Sequence, residues 1–310
     1  MEVLRQTDFS WLGTRRQGKV RDVYEQDERV ILIATDRHSS FDRIIAHIPK
    51  KGAVLNSLSA FWFHKTKDII PNHLLAVPDP NASVAVRTQP LPIEAVVRGY
   101  ITGVTGTSLW THYEKGKRDF GNFTLPDGMR KNQRLDRPVF TPSTKEDLHD
   151  RTLSPQEILA EGILAQDMLE RVESAALALF ARGQEHARAQ GLILVDTKYE
   201  FGLDPAGNLL LIDEVHTPDS SRYWHARSYD ERFSRGEEPE YFDKEFLRLW
   251  FMEHCDPYKD EILPEAPSEM VAELSRRYVG IYEEIAGEPL SLPEEPVLER
   301  LARNLKPYAA

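Results

Sequence analysis

The sequence predicts an α+β fold, on three observations. Residues 15–35 and 192–213 read as hairpins, each with two apolar or alternating runs around a polar turn. Residues 155–190 and the C-terminal third carry helical periodicity instead. Hairpins and helices do not alternate regularly along the chain, which disfavours a doubly wound α/β sheet.

The 310 residues can bury a substantial core, and 41% hydrophobic with 29% charged residues is ordinary for a globular protein. A net charge of −11 argues against a general nucleic-acid binder, so an anionic ligand must meet local basic clusters. The single cysteine, Cys255, excludes an internal disulfide framework and multi-cysteine zinc motifs, and His254 beside it has no further ligand spacing. MEVLRQTDFSWLG lacks the apolar stretch of a signal peptide and no run approaches membrane-spanning length, which predicts a cytoplasmic protein with no membrane partner. Monomer and homo-oligomer both stay open.

In chain order, RRQGKVRDVYEQDERVILIATD predicts a hairpin with its turn near Glu25–Glu28 and a buried second strand, VILIA. Gly18 and Lys19 fall in its first strand, where glycine permits close backbone approach and Lys19, Arg16 and Arg21 could hold phosphates. An exposed strand lysine is the alternative. A polar loop, 36–42, precedes a helix over 52–66 whose Ala53, Leu55, Leu58, Ser59 and Trp62 face the core. Pro90 and Pro92 interrupt regular pairing, so the chain is expected to pass there from an N-terminal β-rich domain, 1–90, to a larger α+β domain, 91–310, with a cleft implied between them.

EAVVRGY reads as a strand that ends at Arg98, a fork for phosphate or carboxylate, followed by a loop with Gly99, Gly103 and Gly106 before Ser108. Residues 114–138 show no clear period beyond a possible hairpin at LPDG. Ser154, Pro155 and Glu157 read as an N-cap, a proline at N1 and a capping-box carboxylate. The helical region runs to Gln190 with a break near Gly162, and Leu164, Met168, Val172, Ala175 and Leu179 form its apolar stripe. Beyond Trp224 the sequence predicts a charged loop to Pro239 and helices near 243–254, 267–286 and 293–304.

LILVDTKYEFGLDPAGNLLLIDEVHTPDSSRYW, 192–224, organises the rest. DPAGN supplies the turn, and a turn centred on Ala206 and Gly207 sets Glu200 opposite Asp213, with Asp196 and Lys198 on the side of Glu200. Facing carboxylates repel unless a cation sits between them, and a hard divalent cation fits best. Solvated strand carboxylates are the alternative, and a one-residue slip would move Asp213 to the other face. No Gly-x-Ser-x-Gly elbow, Walker loop or HExxH helix occurs, while paired acids, basic residues and glycines suit phosphoryl transfer.

DTKYEFG followed by LIDEVHTPDSSRYW resembles the signature pair of the SAICAR synthetase family of purine biosynthesis. GKVRDVY, the 36–42 loop, VVRGY and FTPSTKEDLHDRTLSP resemble further segments of that family in the same order. His38 stands where the family commonly has Ile, and it receives no role.

The resemblance implies mainly antiparallel sheets with flanking helices, a relation to ATP-grasp enzymes and nucleotide in an interdomain cleft. It implies that ATP phosphorylates carboxyaminoimidazole ribonucleotide and that L-aspartate attacks the acyl phosphate. By position in the motifs, Gly18, Lys19 and Arg21 would contact ATP phosphates, and Glu200 and Asp213 would hold Mg2+ and nucleotide. Arg98, Ser108, Lys198 and Arg222 would bind the ribonucleotide, with Lys198, Arg222 and Asp196 at the catalytic centre. Asp36, Ser39 and Ser40 would help to place aspartate or the imidazole. A small-molecule kinase on the same scaffold and a non-catalytic nucleotide-binding protein are the rivals.

Overall fold

Thr14–Gln17 (β1), Arg21–Glu25 (β2) and Arg29–Ala34 (β3) form successive antiparallel strands in the computed structural model, which describes residues 2–145, 151–242 and 245–310. The apolar run VILIA is the reason that β3 lies inside: Ile31 and Ile33 are fully buried. Leu74–Asp79 (β6) and Ala82–Val86 (β7) complete a sheet of order β1-β2-β3-β7-β6. Arg37–Ser40 (β4) and Arg43–His47 (β5) make a separate two-stranded ribbon, and Lys51–Thr66 is α1. Gly18 and Lys19 are not in a strand, because the chain turns between β1 and β2 with the Gly18 amide donating to the Arg21 carbonyl.

Contacts group the chain into two units, Met1–His64, His73–Thr88 and Phe242–Ala310 in one, Lys65–Asn72 and Gln89–Tyr241 in the other. The sequence reading put 91–310 in one domain; in the structure 242–310 group with the first unit instead. Side chains of Val297–Leu305 (α8) explain the difference. Arg300 is buried and donates Nε to Asp79 Oδ2 at 2.8 Å, and Leu301 and Leu305 pack with Leu12, Tyr24, Ile31 and Val84. A buried charge pair of this kind tolerates no loss of one partner, so helix and sheet are held together. Glu245–His254 (α6) and Ser268–Ala286 (α7) also belong to this unit.

The second unit is built on a seven-stranded sheet from Gln89–Pro90 (β8), Ile93–Ile101 (β9), Gln133–Phe140 (β10), Ser143–Thr144 (β11), Leu192–Leu203 (β12), Leu209–Ile212 (β13) and Ser221–His225 (β14). Its named strand pairs are all antiparallel. The α+β expectation holds, and β9 continues past Arg98 to Ile101. Pro155–Ala160 (α3) and Gln166–Ala189 (α4) follow the sequence signals closely, with the capping box formed at Ser154 and Glu157 and a break at Gly162, whereas Leu109–Glu114 (α2) is a short helix that the sequence analysis did not expect. Residues 226–235 differ: they form α5 (Ala226–Arg235), not a loop, because Tyr229 packs on Trp224 and Tyr100 and Gly236 ends the helix in the left-handed region. No helix among the described residues is long and apolar enough to cross a membrane.

Helix α4 lies on one face of the sheet through a tight spot at Gly183. A Cβ there would come within 2.4 Å of His216 Cε1 and 2.6 Å of Leu194 Cδ2. Glycine to alanine in a helix ordinarily gains about 0.5–1 kcal/mol. Here Gly183→Ala should instead lose about 1–3 kcal/mol, the range for overpacking, in a urea unfolding curve. A gain would mean that α4 does not press on His216 and Leu194.

Candidate active site

Side-chain alternation along β12 decides which residues face the site. Leu194 and Tyr199 both turn towards α4, the first beside Gly183 and the second through a hydroxyl hydrogen bond to His216. An even and an odd position share a face because the pairing with β14 shifts between Leu194 and Asp196, a bulge that re-phases the strand. Asp196, Lys198 and Glu200 therefore project from the opposite face.

Three strands then set charges in a row. Asp196 pairs in register with Arg98 on β9 and with Arg222 on β14. Arg222 grips the carboxylate with Nε 3.0 Å from Oδ1 and Nη2 2.8 Å from Oδ2, while Arg98 Nη1 lies 3.5 Å from Oδ2. Arg98 also donates to Thr141 Oγ1 at 2.9 Å. Burial pushes the Arg98 guanidinium down to about 10 against the pull of Asp196, and Arg222 adds to the push. Two guanidiniums around one carboxylate leave a surplus positive charge in a desolvated place, a setting suited to an anion. The Arg222 side chain, 42% exposed against 10% for Arg98, is the accessible half.

The loop after β9 closes on this row. Gly103 has φ 99°, and a Cβ there would meet Ser108 Cβ at 2.5 Å and Arg222 Nη1 at 3.1 Å, so only glycine fits. Ser108 is buried as the N-cap of α2, its hydroxyl accepting from the Thr111 amide. Its hydroxyl is thus committed to shaping the loop.

A second group lies further along the same face. Lys198 Nζ is 2.6 Å from Glu94 Oε1 and 3.4 Å from Glu200 Oε1, and Lys145 Nζ is 2.5 Å from Glu200 Oε2. Burial pushes Lys198 down, but Glu94, Glu200 and Asp213 together hold it above its ordinary value. Burial likewise pushes Glu200 up, and Lys198 and Lys145 outweigh it, so the carboxyl sits below the usual range. Both groups are charged. Sequence reasoning missed Glu94 and gave Lys145 no role. Glu94 lies one alternation from Val96, the register partner of Lys198, but only the sheet pairing reveals this.

The expected register is corrected. Glu200 pairs with Ile212, not Asp213, because the turn is closed by Asp204, whose carboxylate accepts from the amides of Ala206 and Asn208. Asp213 lies just past β13 with φ 68°, and this left-handed residue breaks the alternation that would otherwise turn it away. It still acts on Lys198. The cations at Glu200 are lysines, so the expected repulsion between bare carboxylates is already offset.

As hard oxygen donors, Glu200 and Asp213 suit a magnesium ion that takes its other ligands from phosphate and water. No group of three or more His, Cys, Asp or Glu that could cage a metal occurs among the described residues. Two carboxylates are what a nucleotide-borne ion takes from a protein.

In the first unit, Lys19 Nζ lies 2.5 Å from Asp42 at the tip of the β4–β5 ribbon, both side chains exposed. Arg21 opens β2, and Ser39 and Ser40 are half-buried on β4. Phe41 and Asp42 both have positive φ, 56° and 57°, as a tight two-residue hairpin turn requires. The Phe41 ring is held edge-on by Tyr258 at 5.3 Å. Asp36 does not stand open to a substrate: it is buried and accepts from the amides of Leu4 (2.8 Å) and Gly52 (3.0 Å) at the start of α1. Burial raises its proton affinity despite those amides. His38 is buried. Of the segment FTPSTKEDLHDRTLSP, 140–155, residues 146–150 lie outside the described residues.

Comparison with known proteins adds a family. The family model for SAICAR synthetase matches residues 14–264. A phosphoribosylaminoimidazole-succinocarboxamide synthase of Legionella pneumophila (strain Paris) is 55% identical over 296 residues, 95% of each chain. The SAICAR-synthase of Saccharomyces cerevisiae complexed with SAICAR superposes with a TM-score of 0.79 at 32% identity, covering 93% of this chain and 99% of that one. A SAICAR synthetase in complex with ADP superposes at 0.67 with 25% identity, covering 90% and 100%.

Proposed function

Because this chain belongs to the SAICAR synthetase family, whose members are ligases of purine biosynthesis, we propose that it joins L-aspartate to carboxyaminoimidazole ribonucleotide at the expense of ATP, in the cytoplasm. The imidazole carboxylate attacks the γ-phosphorus, ADP leaves, and an acyl phosphate results. The aspartate amine then adds to the acyl carbon, phosphate departs with the C–O bond electrons, and the nitrogen loses a proton to give the amide.

The observation that carries this reading is the row Arg98–Asp196–Arg222 beside Lys198 and Glu200 on one sheet face. Arg98 and Arg222 bind the ribonucleotide through its phosphate or carboxylate, and Asp196 fixes the plane of both guanidiniums so that little freedom is lost on binding. Ser108 keeps the Gly103 loop against Arg222. Lys198, held cationic by its acidic neighbours, neutralises charge that develops at the reacting carboxylate. Gly18, Lys19 and Arg21 contact the ATP phosphates, and Ser39 and Ser40 help to place aspartate. Glu200 and Asp213 hold the magnesium ion, which when bound screens the nucleotide phosphates.

Aspartate is the amine donor, so ADP formation with ATP, magnesium and ribonucleotide present should require it. Measured by coupled assay, full-rate ADP release without any amine would identify a small-molecule kinase instead. Absence of ADP under all conditions would leave a nucleotide-binding protein.

A further inference from the structure

Two basic side chains in the first unit have no role in the proposed reaction. Arg5 is exposed, His47 half-buried, and no hydrogen bond or ion pair among the described residues engages the Arg5 guanidinium or the His47 ring. His47 ends β5 opposite Arg37 on β4. In a chain of net charge −11, two unengaged cationic or protonatable groups side by side call for an explanation.

They stand at the junction of two cavities of about 550 and 510 Å³, which share Val3, Arg5 and His47. Volumes of this order hold small organic molecules. The first is walled largely by apolar groups, Ile45, Ala46, Pro49, Val271 and Ala272, with Glu265 also in its lining. The second includes Arg37 and Glu2. Arg37 is buried and its charge is met by Asp22, with Nη2 2.9 Å from Oδ1. Even so, His47 is held below its ordinary pKa by burial, then by Arg5 and Arg37, with no carboxylate in that balance. Arg5 and His47 thus bring two hydrogen-bond donors to the junction, while the Glu2 carboxylate accepts from the Val297 amide (3.2 Å).

We propose that these cavities form a second binding site, for a small organic anion whose apolar body occupies the first cavity and whose phosphate or carboxylate head lies between Arg5 and His47. A guanidinium and an imidazole give directed donors for the head, and the aliphatic wall accepts the body. The site is wired to the Gly18–Lys19 turn. Arg37 donates Nη1 to the Arg5 carbonyl (2.7 Å), Nη2 to the Gly18 carbonyl (3.0 Å) and Nε to the Lys19 carbonyl (3.2 Å). An anion that fixes Arg5 thus stiffens the turn that carries Lys19. This second step rests on the reading of Lys19 as a nucleotide-phosphate residue.

The test is a titration of the full chain with phenyl phosphate, benzoate and neutral benzyl alcohol, read on the His47 imidazole signals by NMR and assigned with His47→Gln. One or both anions should move His47 saturably and raise its pKa, because the bound charge offsets Arg5 and Arg37, while the alcohol should not. Arg5→Ala keeps the carbonyl that Arg37 uses, so the fold is retained, and it should weaken anion binding about tenfold or more. The KM for ATP, measured with and without the anion, should change in the parent chain and not in Arg5→Ala. Unmoved His47 signals, or an identical titration in Arg5→Ala, would overturn the site. A His47 response with an unchanged KM for ATP would overturn the link to Lys19 and leave no coupling to propose.

Discussion

Glu200→Gln and Asp213→Asn should each lower turnover by about a hundredfold or more, since each 1.4 kcal/mol of lost transition-state stabilisation is tenfold in rate. Amide replacements keep shape and remove charge, so the loss reports on the role proposed for the carboxylates in holding magnesium. The two variants should differ in stability. Glu200 bridges Lys145 and Lys198, and its loss leaves two ammonium groups with one partner fewer, at a cost of about 1–3 kcal/mol. Asp213 lies past the strand, so Asp213→Asn should cost less.

The acid limb of Glu200 has a definite sign. Its carboxyl is held below the ordinary value of 4.5 in the folded chain, so its stabilising contribution is complete above that pH. It is lost as pH falls through the lower, folded value. Glu200→Gln should flatten this part of the stability profile. The decisive comparison is magnesium-dependent turnover per folded molecule: a destabilised variant with near-normal turnover would reject the metal role.

Arg222→Ala should raise the dissociation constant for the ribonucleotide about tenfold to a hundredfold, and change that for ATP little. The range follows from a charge-assisted contact of about 1.5–3 kcal/mol. Arg222 is the half-exposed partner of Asp196, and Arg98 remains to balance the carboxylate when it is removed, so the sheet should survive. Arg222→Lys keeps the charge but not the planar fork and should fall between the two. Calorimetric titration of each ligand separately measures this. Equal losses for both ligands would remove Arg222 from the ribonucleotide site.

How much of this could be read from the chain alone differs from element to element. Helix α1, the capped start of α3, the break at Gly162 and the strand VILIA were legible because each depends on neighbours within a few residues: periodicity, an N-cap hydroxyl, a glycine, an unbroken apolar run. Membership of the family was legible in the same way, through motifs contiguous in sequence. The charged loop expected after Trp224 is α5, since its helical state depends on Tyr229 finding Trp224 and Tyr100, and Tyr100 comes from a distant strand.

The site divides along the same line. That Asp196, Lys198 and Glu200 share a face follows from strand alternation, a local rule. Tertiary structure alone decided that Arg98 and Arg222 flank Asp196, that Glu94 and Lys145 complete the charges around Lys198 and Glu200, and that Asp36 anchors α1 instead of meeting solvent. It also decided that Asp213, a left-handed residue outside the ladder, helps to hold Lys198 charged. Each of these depends on which strands become neighbours and in what register, and register is set by turns, bulges and the burial of opposite faces, all of which involve residues far apart in the chain.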